Sequence, residues 1–412
     1  MTGIFPVIDH LDEVLAAIEG REEFVVHRNH ELGFVSVLYR YVMADTFPDP
    51  LEQGIDPREG RRRALLRECR GTTFDARTGK VIARKFHKFF NIGERQETQP
   101  HLIDWTRPHV RLVKADGSLM TPLVLDSKVR WSSKMGVTKV SAPVEAFVED
   151  RGAYRRLALD AAALGVTPLF EWCSSEAQRI ILDYPDARLV LLAVRENARG
   201  RYWPQDDVEA YARSFGIPCI ERVPGSVTDH VTYRSELAAL TRIEGEVVAF
   251  ATGERYKVKT AEYLRFHRAL AGLAQEKDVL ALVLSDGTDD VKPFLNSELA
   301  EKLDAFTGAV NRGLDRSAEH LGSLFREGYR EYAGDRKRFA VEFVARHKDA
   351  APFLFALWPK GEADDATVQA SARDLVADYV RRNLGSSTRV AQVRHFFGDD
   401  VSWTAEIPDL DA

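Results

Sequence analysis

The spacing of apolar residues changes character near Ala261, and this change limits what the chain can fold into. Before that residue, short alternating or fully apolar runs separated by turn residues predict strands. Beyond it, apolar residues recur every three to four positions, which predicts helices over 278–284, 298–314, 318–332, 338–347 and 366–384. A chain of 412 residues also exceeds one compact core. We therefore predict an α+β protein, with a mixed or antiparallel-sheet domain at 1–265 and an all-helical domain at 266–412.

Local signals divide the first domain further. Amphipathic spacing predicts helices at 9–19, capped by Asp9, at 143–164 and at 206–215. Asp116 and Gly117 predict a turn beside a buried sheet, and an ordinary hairpin with an exposed lysine is the simplest alternative there. We expect strands at 23–27, 34–42 and 123–132, hairpins at 71–86 and 243–259, and central strands at 168–173 and 188–194.

Composition excludes several classes of protein. The chain is 45% hydrophobic and 29% charged, as in ordinary globular proteins, and no apolar run approaches the length of a membrane span. The first 23 residues lack the basic-then-apolar pattern of a signal peptide. Cys69, Cys173 and Cys219 show no CxxC spacing, so neither a disulfide framework nor a structural zinc site is expected. We expect a cytoplasmic monomer with no membrane partner.

Charge is distributed unevenly along the chain. The net charge is −6, which argues against a uniformly cationic coat for nucleic acid. From Ala271 onward there are 18 basic and 25 acidic residues, against 39 and 38 before it. A nucleic-acid site must therefore be a local patch. In the helical part the run Arg336, Lys337 and Arg338 is such a patch, although a basic run more often caps a helix C-terminus.

Charged residues at predicted strand ends carry the candidate chemistry. A central lysine, Lys114, leads a Lys-x-Asp-Gly-Ser run. Glu171 interrupts an apolar strand, and a buried carboxylate is costly unless it is paired or bound to a metal; an exposed edge-strand glutamate is the alternative. Lys257 and Lys259 share one face of a strand, where an anion between them would offset their repulsion. A cationic pocket with carboxylates and one central lysine suits phosphate chemistry with a divalent metal.

The order and spacing of these segments resemble the ATP-dependent RNA ligase 1 family of bacteriophages, in the lysine nucleotidyltransferase superfamily. The resemblance runs from about Tyr39 to His267 and includes phrases at 179–182 and 191–197; beyond His267 it reduces to helical character and a match at 286–290. The matching residues are Arg70-Gly71, Lys88-Phe89-Phe90-Asn91, Lys114-Ala115-Asp116-Gly117-Ser118, Ser133-Lys134, Phe170-Glu171, Ile243-Glu244-Gly245 and Lys257-Val258-Lys259.

The resemblance implies three displacements at phosphorus. Lys114 takes AMP from ATP, AMP passes to the 5′-phosphate of RNA, and a 3′-hydroxyl then displaces AMP to join the ends. RNA with these ends, tRNA among the candidates, is the implied partner, and RNA or tRNA repair is the implied role. Lys114 must be neutral to attack, so we expect Lys257, Lys259 and a metal to lower its pKa.

The resemblance also implies a role for each matched residue. Lys114, Asp116, Gly117, Lys134 and Glu244 are the implied catalytic group, with Lys134 serving the RNA-bound steps. The implied nucleotide contacts are Tyr39, Arg70, Lys88, Lys114, Glu171, Glu244, Lys257 and Lys259, with Phe90 stacked on adenine. Glu171, Glu244 and Asp289 are the implied ligands of magnesium or manganese, since hard oxygen ligands suit these ions; for Asp289 a plain loop carboxylate is an equal alternative.

Other classes of protein share part of this pattern. DNA ligases and mRNA capping enzymes share the lysine chemistry but usually carry a β-rich OB domain after the Lys257-type motif, where this chain is patterned as helices. A protein that binds nucleotide or RNA without catalysis would not need Lys114 and Glu171. Arg61, Arg62 and Arg63 are read as a solvated helix face, with a phosphate role as the alternative. No GxxxxGK[ST] motif is present, which disfavours a P-loop kinase.

Overall fold

The computed structural model describes residues 4–126, 128–138, 141–174, 184, 186–295, 297–332 and 334–404. The chain divides into two compact units, the first ending at Arg265 and the second beginning at Phe266. The first unit is built on antiparallel sheets with helices packed against them, and the second is helical. The predicted α+β class is therefore confirmed. Over the described ranges, no helix combines the length and the apolar character needed to cross a bilayer.

The described residues of the first unit form three four-stranded sheets. Their strand orders are β1-β2-β3-β4, β10-β5-β11-β12 and β7-β6-β8-β9, and the pairs within each sheet are antiparallel. The strands are β1 Phe24–Asn29, β2 Phe34–Tyr39, β3 Arg70–Asp75, β4 Val81–Ala83, β5 His109–Lys114, β6 Ser118–Leu125, β7 Lys128–Ser132, β8 Val166–Cys173, β9 Arg188–Glu196, β10 Arg222–Val223, β11 Gly245–Phe250 and β12 Arg255–Lys259.

Helices cover these sheets and form the second unit. α1 and α2 bury their apolar faces in the core of the first sheet, and α3, α4 and α5 contribute to the core against the β6-β8-β9 sheet. The helices are α1 Leu11–Ile18, α2 Pro57–Glu68, α3 Ser141–Glu149, α4 Gly152–Leu164, α5 Gln205–Phe215, α6 His230–Ala239, α7 Ala261–Gly272, α8 Glu276–Leu284, α9 Thr288–Val291, α10 Ser297–Glu331, α11 Arg336–Arg338, α12 Ala351–Leu357, α13 Asp365–Arg382 and α14 Ser387–Val393.

The segment after Lys114 connects two sheets and closes no hairpin. β5 pairs with β10 and β11, whereas β6 pairs with β7 and β8, so the chain passes from one sheet to another at residues 115–117. Gly117 makes this passage possible, because a Cβ atom there would lie 2.3 Å from the carbonyl oxygen of Trp172. The ordinary-hairpin alternative for this stretch is therefore wrong.

Several element boundaries differ from the sequence expectation. The helix expected at 143–164 is two helices, because Arg151 leaves helical geometry (φ −113°, ψ 68°) between α3 and α4. His10 rather than Asp9 caps α1, with its ring accepting from the Asp12 N–H. β9 is an edge strand of its sheet and not a central one, although helices bury it.

The helical unit also departs from the expected bounds. The two helices expected at 298–314 and 318–332 form one continuous helix, α10, whose apolar stripe includes Val310, Leu314 and Phe325. α13 runs beside it and supplies Val376 to the same core. The basic run at 336–338 begins a helix, with Asp335 accepting from the N–H groups of the second and third residues, so a C-terminal cap is ruled out.

Candidate active site

One carboxylate holds two of the candidate lysines. Lys114, the last residue of β5, faces Gly245 of β11, and Glu244 immediately precedes that strand. The Nζ atom of Lys114 lies 2.7 Å from Oε1 of Glu244, and Nζ of Lys259 lies 3.6 Å from the same oxygen. Glu244 is 2% exposed. The sheet register thus brings Lys114, Gly245 and Lys259 into one row across three strands.

Of the two cavity lysines Lys114 and Lys257, it is Lys257 whose pKa is lowered. Burial works to lower the pKa of Lys114, but the carboxylates of Glu244 and Glu171 outweigh burial and raise it. The expectation of a lowered value is therefore wrong for this structure, because the nearest charges are negative. Burial, followed by the charges of Arg70 and Lys114, holds the pKa of Lys257 well below its ordinary value.

Glu171 lines a cavity that Lys114 and Lys257 also line. It lies on β8 opposite Leu119 of β6, and β8 is flanked by β6 and β9, which excludes the edge-strand alternative. Burial raises the pKa of Glu171 to about 8, with Lys114 acting in the opposite direction. The carboxyl group consequently stands in the cavity as a proton-holding or cation-binding group.

Both charged and apolar side chains line the cavity. Its empty space is about 630 Å³ when the open solvent at its mouth is included. Arg70, Lys114, Glu171, Arg255 and Lys257 supply its polar lining. The apolar lining comes from Phe86, Phe89, Leu112, Val113, Ala115, Leu119, Leu192, Ile220 and Val247.

Of the neighbouring rings Phe89 and Phe90, it is Phe89 that lines this cavity. Phe90 is 2% exposed and packs into the core of the first sheet, with the Arg95 guanidinium carbon 4.9 Å from its ring centroid. The backbone here is extended beside Lys257, and neighbouring side chains of an extended chain point to opposite sides. The Phe-Phe pair in the sequence indicated an aromatic contact with the nucleotide, but the sequence alone does not tell which of the two rings faces the cavity.

A second cationic group surrounds Tyr39. The Nζ atoms of Lys88 and Lys134 lie 5.2 and 4.7 Å from its ring centroid. Burial raises the pKa of the Tyr39 hydroxyl, but the charges of Arg70, Lys88 and Lys134 outweigh burial and lower it. Gly71 allows the backbone of Lys134 to pack closely beside it, because a Cβ atom at Gly71 would lie 2.4 Å from the carbonyl oxygen of Lys134. Lys88 and Lys134 do not line the main cavity.

Sequence reasoning named Asp116 but missed several groups around it and Lys114. Asp116 is buried, and its N–H donates to the hydroxyl of Tyr184, a missed residue, at 3.1 Å. Tyr263 of α7 lies under Lys259, whose Nζ is 4.6 Å from the ring centroid, and burial and Glu244 raise the pKa of this tyrosine. Arg255 was also missed, although it precedes Lys257 by two residues, the alternation that places side chains on one face of a strand.

The remaining candidates lie in ordinary surroundings. Asp289 belongs to the helical unit, where its carboxylate accepts from Lys292 at 3.0 Å. Over the residues that the structure describes, no group of three or more His, Cys, Asp or Glu side chains is arranged to hold a metal ion. The resembling phrase at 179–182 lies outside the described residues.

The triple arginine of α2 is paired with carboxylates. Arg61 pairs with Glu13, and Arg62 and Arg63 both pair with Glu59. Arg63 also pairs with Glu52. These contacts fit the solvated helix face better than the phosphate role.

The amino-acid sequence of this chain is similar to those of known proteins. A family model described as RNA ligase matches residues 68–263. A putative RNA ligase of Thermovibrio ammonificans is 28% identical over 329 residues, which cover 76% of this chain and 80% of the relative. RNA ligase 1 of bacteriophage TS2126 is 26% identical over 347 residues, which cover 80% of this chain and 77% of the relative.

Similarity to solved structures is weaker. An archaeal ATP-dependent RNA ligase aligns with a TM-score of 0.42 and 14% identity, covering 62% of this chain and 63% of that chain. An RNA ligase of Naegleria gruberi aligns with a TM-score of 0.38 and 12% identity, covering 45% and 58%. The chain thus spans less than two thirds of these solved structures. The segment matched by the RNA ligase family model carries Arg70, Lys114 and Glu244, so the chain is similar to RNA ligases over the segment that forms this site.

Proposed function

We propose that this protein is an RNA ligase that uses ATP to join a 5′-phosphate to a 3′-hydroxyl of RNA, through AMP bound to Lys114 and then to the RNA 5′ end. The observation that carries the proposal is the position of Lys114. Lys114 lines a cavity that also presents apolar side chains for a base and cations for phosphates. The remaining assignments support this reading.

In the first step, Nζ of Lys114 attacks the α-phosphorus and pyrophosphate leaves. Nζ must first lose a proton, and Oε1 of Glu244, 2.7 Å away, is placed to accept it. Lys257 and Arg70 line the same cavity and would offset the charge that builds on the phosphates. Phe89, in place of Phe90, is the ring we propose to stack on adenine.

The carboxylates of Glu171 and Glu244 fit a divalent cation. The charges of both carboxylates act on Lys114 and raise its pKa, so both groups lie near the lysine. Both also provide the hard oxygen ligands that magnesium or manganese binds together with substrate phosphates. Such an ion would neutralise phosphate charge when bound. Asp289 is retained only as a proposal for the helical unit.

The later steps need sites for RNA phosphates. We propose that Arg70, Lys88 and Lys134, gathered around Tyr39, bind the 5′-phosphate or its adenylate, with Lys134 more important there than in the first step. Asp116 and Gly117 would hold the lysine loop in place. For the helical unit we propose selection of the RNA, with nicked tRNA as one candidate substrate and RNA repair as the role.

The test is covalent labelling of the full-length chain. The protein is incubated with ATP or GTP labelled at the α-phosphate and run on a denaturing gel, and joining of a 5′-labelled RNA is measured beside it. We expect label from ATP on the wild type and on Lys128→Ala, an exposed lysine outside the cavity, but not on Lys114→Ala. An unlabelled wild type that still binds RNA would favour the non-catalytic alternative, and label retained by Lys114→Ala would contradict the proposal.

A further inference from the structure

A buried arginine that lacks a hydrogen-bond partner among the described residues lines the cavity. Arg255, the first residue of β12, is 6% exposed, and no described residue accepts a hydrogen bond from its Nε atom. Within the described parts of the chain, no carboxylate forms an ion pair with its guanidinium group. The guanidinium carbon instead lies 4.3 Å from the ring centroid of Tyr202 and 5.4 Å from that of Phe86.

Two neighbouring arginines show what a structural arginine looks like here. Arg195 also lies over Tyr202, at 4.8 Å, but it donates to both carboxylate oxygens of Glu68 and to the carbonyl oxygens of Lys85 and Gly200. Arg84 donates to Glu68 as well, and to three carbonyl oxygens. Both side chains have their donors occupied by protein atoms, whereas Arg255 does not.

This contrast points to a ligand. A buried guanidinium without acceptors is costly, and the single carboxylate of Glu68 already serves Arg84 and Arg195. Cation–π contact with Tyr202 recovers only part of that cost. An acceptor that enters the cavity would satisfy the remaining donors.

The sheet register tells which end of the nucleotide reaches Arg255. Rows across β5, β11 and β12 place Lys114 with Lys259, then Leu112 with Val247 and Lys257, and then Ala249 with Arg255. Each row advances two residues, so Arg255 lies roughly 14 Å along the sheet from the Lys114 row. Lys114 and Lys259 stand in the first row, and Lys257 shares the middle row with Leu112 and Val247. The ring proposed to stack on adenine, Phe89, has its centroid 5.1 Å from Nζ of Lys257, between the Lys114 row and Arg255. A base joined through ribose to a phosphate at Lys114 therefore extends toward Arg255.

We propose that Arg255 binds the nucleobase, donating from its guanidinium to a ring nitrogen of adenine; this rests on the proposed use of ATP. The ring nitrogens of adenine that carry no hydrogen accept hydrogen bonds, N7 among them. Arg255 is then a specificity-determining residue, because a base without an acceptor at that position leaves the buried donors unpaired.

The test compares ATP with 1-deaza-, 3-deaza- and 7-deaza-ATP, each lacking one ring nitrogen. Binding is measured by calorimetry in full-length chains that also carry Lys114→Ala, so that no AMP is transferred. Arg255→Met removes the donors, and Arg255→Lys keeps the charge but loses the planar fork. Arg151→Met is the matched control, since this guanidinium lies 4.0 Å from the Phe147 ring and outside the cavity.

We expect one deaza analogue to bind the Arg255 chain about 10- to 100-fold more weakly than ATP, the loss typical of a hydrogen bond to a charged donor. Arg255→Met should weaken ATP by a similar factor and bind ATP and that analogue within about twofold of each other. Arg255→Lys should keep only part of the discrimination, and Arg151→Met should keep it in full.

Three results would overturn the assignment: no deaza penalty with Arg255 present, full penalties kept by the Arg255 variants, or unchanged ATP affinity in them. If an Arg255 variant binds ATP and all three analogues more weakly by the same factor, the loss of affinity caused by each deaza substitution is unchanged. That result would place Arg255 with the phosphate contacts. ATP binding by a wild type that is never labelled at Lys114 would refute the proposed function and leave this test readable.

Discussion

Lys114 and Glu244 face each other across β5 and the start of β11, with Nζ 2.7 Å from Oε1. This contact raises the pKa of the lysine that we propose as the nucleophile. The same carboxylate would also accept the proton that Lys114 releases in the proposed first step. The pair therefore couples the charge state of the nucleophile to a residue that we propose also binds the cation.

Replacing the nucleophile should abolish the first step without unfolding the protein. In Lys114→Ala, Glu244 keeps Lys259 as a partner at 3.6 Å, so its buried charge is not left alone. We expect labelling by ATP to fall to background and the melting temperature to change by about 3 °C or less. Gel labelling and thermal unfolding measure the two effects, and a labelled variant would disprove the role of Lys114.

Neutralising Glu244 should slow labelling and shift its pH dependence. Glu244→Gln removes the carboxylate that raises the pKa of Lys114, so the neutral amine becomes available at lower pH. The acidic limb of the rate profile should therefore move to lower pH, while the maximal rate falls about 100-fold through loss of the proton acceptor. Single-turnover labelling from pH 5 to 10 checks both changes. A limb that moves to higher pH would contradict the assignment.

Lys134→Ala should affect joining more than labelling. Lys134 lies over Tyr39 and does not line the main cavity, which is why we place it with the RNA-bound steps. We expect lysyl-AMP formation within about threefold of wild type and overall joining reduced at least about tenfold, the size of one charge-assisted contact. Equal losses in both assays would move Lys134 to the ATP contacts.

The buried carboxylate Glu68 should matter for stability. It accepts from Arg84 and Arg195, and although burial raises its pKa, these two charges hold the value at about 2. Glu68→Gln leaves two buried guanidinium groups without a counter-charge and should cost roughly 3–5 kcal/mol in the free energy of unfolding. In the wild type this contribution is complete above the ordinary carboxyl value of 4.5 and is lost as the pH falls toward 2. Urea unfolding at pH 7 and pH 3 tests it, since the difference between wild type and variant should shrink at pH 3.

Removing the helical unit should spare the first step and change RNA preference. Because α7 runs to Gly272, a shortened chain should end there and not at the unit boundary of Arg265. We expect this chain, where circular dichroism shows it folded, to be labelled by ATP and to lose the distinction between a nicked stem-loop and a plain single strand. A folded chain that takes no AMP, or that keeps the full-length preference, would contradict the proposed division of roles.

The sequence by itself determined the fold class and the order of the charged segments. The change of apolar period near Ala261 is a local signal, and local periods survive in any tertiary setting. The segments around Lys114, Glu171 and Lys257 could be found for the same reason, since each is short and contiguous. Their assignment to catalytic roles remains a prediction.

Tertiary structure alone decided how those segments meet. Whether Phe89 or Phe90 faces the cavity depends on how an extended stretch lies beside Lys257, and the sequence shows two identical rings. The pKa of Lys114 depends on Glu244, which only the pairing of β5 with β11 brings within 2.7 Å. In the sequence, Arg255 is an ordinary charged residue. In the folded protein its side chain is buried away from water, and no described residue accepts a hydrogen bond from its Nε atom. Such properties arise from distances between residues far apart in the chain, and electrostatic and desolvation energies follow those distances rather than the order of the sequence.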